Sequence, residues 1–232
     1  MFNWPGYAAM AAAIVVAAAV PVPVPARYPL RAGAALAGAW IALGLLATWC
    51  AYDRTPLYRW RWMTELLPAP PTRYAVVSTG LDEVSATLRE LFPAGQPVLL
   101  DLYDRRLTAG GSIRRARTLV APPAGAQPAR PDRLPVPDGT FDAVFLVFAA
   151  HELREAGQRR ALFAEIARIL RRGGRLTLVE HCRDAANVIA YGPGAWHFYP
   201  RAEWLRLARG AGLTPVTQRT MTPLVHALVY RR

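Results

Sequence analysis

The sequence predicts an α/β domain, a mostly parallel sheet with helices on both faces, preceded by a pair of membrane-spanning helices. Three observations carry this. Residues 5–25 and 32–52 hold no charged side chain, and each run is about long enough to cross ~30 Å of hydrocarbon as a helix. From about Pro71 onward, short apolar segments rich in Val and Leu alternate with amphipathic ones, the pattern of strands buried on both faces between helices. All 16 acidic residues lie at or after Asp53, so the chain changes character there.

The first apolar run ends in "PVPVP", where each proline removes an amide donor, so an extended stretch is expected. "ARYPLR", Ala26 to Arg31, reads as a polar turn leading to the second run. A cleaved signal peptide is disfavoured by the uncharged N-terminus and by the second apolar run close behind. Tyr58, Trp60 and Trp62 interleave with Arg59 and Arg61, as side chains at headgroup level do. Arg54, Arg59 and Arg61 follow the hairpin, against Arg27 and Arg31 in its turn, which puts both chain ends on the cytoplasmic side. The expected organisation is a transmembrane hairpin over 1–52, an interfacial linker over 53–70 and a catalytic domain over 71–232, a multi-pass membrane protein with a cytoplasmic active domain.

In that domain the strand candidates are "YAVVS", "PVLLDL", "FDAVFLVF", "RLTLVEH", "TPVTQRT" and "HALVYR". Helices are expected over Leu81–Leu91, Ser112–Arg117, Ala156–Arg171 and Arg201–Ala208, the third stopping at Gly173 and Gly174. Residues 120–139 are too rich in proline for a central strand, so the third strand should be short.

The net charge is +12, yet the basic side chains, all arginine, are scattered and no nucleic-acid motif is present. Nucleic acid is therefore excluded as a partner, and a lipid bilayer with anionic headgroups fits better. Two cysteines, Cys50 and Cys182, stand far apart and outside any metal-ligand spacing, so neither a disulfide framework nor a structural zinc is indicated.

"LPVPDGTFDAVFLVFAAHEL", "LFAEIARILRRGGRLTLVEH" and "HFYPRAEWLRLARGAGLTPV" follow one another as in class I S-adenosylmethionine-dependent methyltransferases, and the region from Tyr74 to the C-terminus resembles that family, in its type 11 form. The resemblance implies a Rossmann-like sheet with an antiparallel last strand, S-adenosylmethionine as cofactor, and methyl transfer to an acceptor. The family's first turn, acidic-x-Gly-x-Gly-x-Gly, falls on Val76, Ser78, Gly80 and Asp82, so one glycine of the three remains. Asp82 either reaches the methionine amine of the cofactor or caps the following helix. Asp101 lies at the end of the second strand, at the ~20-residue distance of an acid that pairs ribose hydroxyls, with Asp104 as fallback. Asp132 falls near the family's adenine-side acid, although strict alignment puts Arg130 there.

His151, His181 and His197 fall where strands end, with Glu152 and Glu180 beside two of them, and the ligand crevice of such sheets lies beyond those ends. His151 and His181, with Glu180, are the candidates for acceptor contact or for taking the acceptor's proton. Glu152, Tyr191, Trp196 and His197 are candidates for acceptor binding. The stretch from Cys182 to Pro200, with Phe198, Tyr199 and flexible Gly192 and Gly194, reads as an aromatic lid over a small apolar acceptor. No metal ligand set is assigned, since no close spacing supports one, and His226 is read as structural. Two other readings remain open: a non-catalytic scaffold with a degraded turn, and metal-dependent chemistry on the same fold.

Overall fold

The computed structural model describes residues 4–104 and 111–232. Seven strands form one sheet in the order β3-β2-β1-β4-β5-β7-β6. They are β1 (Arg73–Ser78), β2 (Gln96–Asp101), β3 (Gln127–Pro128), β4 (Phe141–Val147), β5 (Leu170–Glu180), β6 (Thr214–Thr222) and β7 (Val225–Arg231). The first five pair in parallel, and β7 enters antiparallel between β5 and β6. The order reverses between β1 and β4, so the crevice of this sheet opens at their carboxyl ends, beside Ser78 and Val147. β3 has only two residues, as its proline-rich surroundings imply.

The helices are α1 (Trp4–Ala19), α2 (Val24–Asp53), α3 (Ser85–Leu91), α4 (Gly111–Leu119), α5 (Ala156–Ile169), α6 (Ala185–Tyr191) and α7 (Arg201–Gly210). On one face of the sheet Leu162, Phe163 and Ile166 of α5 and Trp204 of α7 pack with Ala75, Val144 and Leu178. On the other, Leu88 of α3 packs with Val76, Phe145 and Val229.

The membrane end departs from expectation. The first apolar run makes a helix of 16 residues, about 24 Å at ~1.5 Å per residue, short of a hydrocarbon core. Only α2, among the described residues, is long and apolar enough to cross a membrane. The expected polar turn at Ala26–Arg31 is helical and belongs to α2; Pro25 sits in its first turn, where no amide donor is lost, and Pro29 lies one turn further in. The chain reverses instead at the break between Ala19 and Val24.

The linker aromatics also differ from expectation. Trp60 and Trp62 are buried at 1% and 8% exposure, packed with Met63 and Leu57 on the face of the sheet that carries α3. Trp60 turns inward through a left-handed backbone (φ +53) between two 3-10 turns, and the Trp62 indole donates to the Leu57 carbonyl at 2.9 Å. Among these rings only Tyr58 stays exposed.

Two helix ends are shifted. α3 begins at Ser85 rather than Leu81, because Asp82 Oδ1 takes the Val84 and Ser85 amides, each at 2.9 Å. α5 stops at Ile169 and β5 starts at once, so Gly173 (φ +81) and Gly174 lie in an irregular stretch of that strand rather than at a helix stop. A Cβ on Gly174 would come within 3.0 Å of the Phe141 carbonyl, which explains the glycine there. The stretch read as a flexible lid is α6 followed by a 3-10 turn over Gly192–His197. Asp184 caps α6 by accepting the Asn187 amide at 3.0 Å, and His226 Nε2 holds the other carboxylate oxygen at 2.7 Å.

α2 is fastened to this lobe. The Trp40 indole donates to the Ile189 carbonyl at 2.6 Å, and a Cβ on Gly44 would lie 2.5 Å from the Ala190 oxygen. Gly192 (φ +54) lies flat under the Trp40 ring.

Candidate active site

Two neighbouring groups of side chains form at the carboxyl ends of the central strands. The first surrounds the turn after β1. Gly80 has φ +88, a conformation other residues resist, and its amide donates to Asp101 Oδ1 at 3.2 Å. The Tyr103 amide donates to the same oxygen at 3.0 Å, and Arg117 of α4 reaches Oδ2 at 2.5 Å. Asp101 thus stands where sequence places it, at the end of β2, but its carboxylate is fully engaged by the chain itself. Tyr103 and Ile113 fill the space over Gly80, since a Cβ there would meet them at 2.8 and 2.7 Å.

Of the two roles open to Asp82, the structure shows the helix cap. Its neighbour Glu83 lies near Tyr58 and in the field of His151 and Glu180; burial raises its carboxyl pKa. Sequence reasoning passed it over, because a second acid beside a helix cap looks redundant until the first is seen to be consumed. Asp132 is exposed and paired through both oxygens with Arg130 at 2.9 Å, so the two candidates for the adenine side hold each other. They border a hollow of about 1040 Å³ that Asp104, Tyr103 and the start of α5 also line.

The second group gathers the histidines. Phe148 follows β4 with φ +49, a strained value for an aromatic residue, and the turn it makes stacks its ring on His181 at 5.1 Å. Phe198 stacks on the opposite face of His181 at 4.7 Å, and Tyr191 meets its edge at 5.8 Å. His181 Nδ1 faces the Leu224 carbonyl at 2.8 Å and must carry the proton there. Nε2 is therefore an acceptor, and Tyr52, at the end of α2, donates to it at 2.5 Å. Burial, with the His151 charge second, lowers the His181 pKa to about 4, so the ring is neutral at physiological pH.

His151 lies one short turn beyond Phe148. Its Nδ1 donates to Glu180 Oε2 at 2.6 Å, while Glu180 Oε1 accepts the Ala150 amide at 2.9 Å and the His151 amide at 3.3 Å. Burial opposes a charge on His151, but the Glu180 carboxylate, aided by Glu152, holds its pKa up at about 10. Burial likewise opposes the Glu152 charge, yet His151 and His197 hold that carboxyl down at about 2. The structure brings His151, Glu152, Glu180 and His197 into one cluster. It places Tyr191 on the aromatic pocket, while Trp196 is 61% exposed and turned outward. Tyr52 and Phe148 were missed as site residues; the first lies in an apolar run, the second at a strand end, and neither position carries a local signal.

The strand order, the antiparallel β7 and the crevice define a Rossmann-like fold of the methyltransferase type, and residues 78–178 match the methyltransferase domain family. That stretch of the chain is similar to class I S-adenosylmethionine-dependent methyltransferase domains, whose cofactor is S-adenosylmethionine. The chain is 31% identical over 129 residues to the ubiquinone/menaquinone biosynthesis C-methyltransferase UbiE of Pseudomonas putida, a match covering 54% of this chain and 49% of that protein. It spans about half the length of the curated relatives it matches. In fold it resembles the PH0226 protein of Pyrococcus horikoshii (TM-score 0.57, 12% identity, 78% of this chain and 90% of that one). It also resembles a SAM-dependent methyltransferase of Aquifex aeolicus (TM-score 0.52, 17% identity, 68% and 81%).

The residues around the turn fit that cofactor in kind. Gly80 allows close backbone approach, Asp101 has the chemistry and position for ribose hydroxyls, and Ser78 is small. The space itself is covered by Arg117, Ile113 and Tyr103, so a ribose reaching Asp101 would have to displace the Arg117 guanidinium.

Proposed function

We propose that the chain is a membrane-anchored methyltransferase acting on a small apolar, quinol-like acceptor that partitions into the bilayer. The observation that carries this is the aromatic cluster around His181: a neutral imidazole stacked with two phenylalanine rings, with the phenol of the apolar helix α2 on its Nε2. Aromatic side chains gathered in this way suit a flat aromatic ring beside them, and the Tyr52 hydroxyl backed by His181 suits its hydroxyl. UbiE, a ubiquinone/menaquinone biosynthesis C-methyltransferase, is among the relatives, which favours the same acceptor class.

S-adenosylmethionine, when bound, supplies a methyl group on a sulfonium. Asp101 would hold its ribose, the Ser78–Gly80 turn its backbone side, and Glu83 its amine in place of the acid lost at Val76. The Tyr52–His181 pair would take the acceptor hydroxyl proton, raising the electron density of the ring to be methylated. Phe148, Phe198 and Tyr191 orient the ring and exclude water. α2 anchors the chain with its long apolar surface in the bilayer, and the domain lies on the cytoplasmic side. The alternative scaffold reading draws on the covered turn.

The test is to incubate full-length protein in detergent with methyl-labelled S-adenosylmethionine and a series of prenylated phenols and quinols, then count label in the organic extract. Transfer to these acceptors supports the reading. Cofactor binding without transfer to any apolar acceptor would remove the acceptor class, and absence of binding would favour the scaffold.

A further inference from the structure

We propose that His151, Glu152 and His197 form a binding site for one divalent transition-metal ion of the zinc type. The donor atoms are His151 Nε2, Glu152 Oε1 and His197 Nε2, all within 4.8 Å of one another. The carboxylate oxygen lies 3.4 Å from the first nitrogen and 3.3 Å from the second. A hydrogen bond between an imidazole and a carboxylate closes to about 2.7–2.9 Å, as His151 Nδ1 does with Glu180 at 2.6 Å. Ligands at ~2.0–2.1 Å from a tetrahedral ion stand about 3.3–3.4 Å apart, and the carboxylate oxygen has that spacing from both nitrogens.

A second observation points the same way. Glu152 is 3% exposed, and its Oε2 is buried with no hydrogen-bond partner among the described residues. A buried carboxylate oxygen without a partner is costly, and an ion held by both carboxylate oxygens, Oε1 toward the histidines and Oε2 beside it, would take it up. The surroundings are those of a metal site too. Glu180 orients His151 from behind, the carboxylate–histidine arrangement that fixes which nitrogen faces the ion. The Arg154 guanidinium bonds the main-chain carbonyls of both His151 (3.2 Å) and His197 (2.6 Å), so one side chain ties the two histidine-bearing segments together.

Two imidazoles and one carboxylate suit zinc or ferrous iron and leave a fourth position open. Phe198 stacks on His181 and meets the edges of His151 and His197, so this site adjoins the aromatic pocket. An ion there would act as a Lewis acid on an oxygen of whatever occupies that pocket. The inference stands on these residues alone and does not need the methyltransferase reading.

The test uses full-length protein in detergent, without a histidine tag or chelator, loaded with one equivalent of Co(II) or Zn(II). Wild type should hold one ion after gel filtration, and Co(II) should show the intense visible bands of a four-coordinate site. His197→Ala, at a side chain 36% exposed and therefore tolerant of replacement, should lose the ion and the bands while keeping its circular dichroism. Glu180→Gln should keep the bands and weaken affinity roughly 10–100-fold, the size expected for a positioning partner. Wild type that retains no Co(II) or Zn(II), or His197→Ala that retains them like wild type, overturns the proposal.

Discussion

Tyr52 and His181 stand 129 residues apart in sequence, and the phenol of one donates to Nε2 of the other at 2.5 Å. The bond joins the end of the apolar helix to the centre of the aromatic pocket. Tyr52→Phe removes the donor and leaves a buried ring nitrogen unpaired, at about 1–3 kcal/mol. If this pair handles the acceptor proton, kcat should fall at least ~100-fold while affinity for S-adenosylhomocysteine stays constant. Single-turnover kinetics with calorimetry would separate the two. An unchanged kcat would take the pair out of the chemistry.

Arg117 holds the Asp101 carboxylate that, in the proposed function, would hold the ribose of the cofactor. Arg117→Ala should tighten binding of S-adenosylhomocysteine roughly 3–10-fold, since a partly exposed ion pair is worth up to ~1 kcal/mol and the ligand no longer breaks it. Titration calorimetry measures this directly. Weaker binding in the variant would mean that the guanidinium belongs to the cofactor site rather than covering it.

Acid stability should carry the signature of His181. Its folded pKa, about 4, lies below the ordinary value of 6.5, so the unfolded chain binds a proton that the folded one refuses between those pH values. Stability is present in full above about pH 6.5 and declines as pH falls toward 4, by up to about 3 kcal/mol from this group. His181→Gln should flatten that part of the curve of melting temperature against pH. A variant curve parallel to wild type throughout would show that other groups set the slope.

The fit of α2 on α6 depends on Gly192 lying under Trp40. Gly192→Ala would bring a methyl group to 2.2 Å from the indole and burden a left-handed residue, lowering the melting temperature by roughly 3–8 °C. Combining it with Trp40→Ala should restore part of the loss, because the clash has gone. Strictly additive losses in the double variant would place the cost in the backbone alone.

The sheet was legible because its strands are short Val- and Leu-rich runs whose burial is continuous, and Asp101 could be found by its distance from Gly80. The membrane end was misread for a local reason. An apolar count does not register that a proline in a first turn is harmless, so Ala26–Arg31 was read as a polar turn although α2 starts at Val24, takes Pro25 in its first turn and runs on through Pro29. Trp60 and Trp62 look alike at a headgroup and in a core, and only packing against Met63 and Leu57 decides between the two. The site residues that were missed act across the fold. Arg117 matters because it touches Asp101, and Tyr52 because it touches His181; neither contact leaves a mark in its own neighbourhood of the chain.

Trp40, Gly44 and Tyr52 hold α2 against the lobe along one side, so His181 has a fixed height along that helix. With the helix seated in lipid, an acceptor would be selected by depth, its head group held level with that ring by its tail. Chain length, more than ring chemistry, would then set which members of a homologous series are turned over.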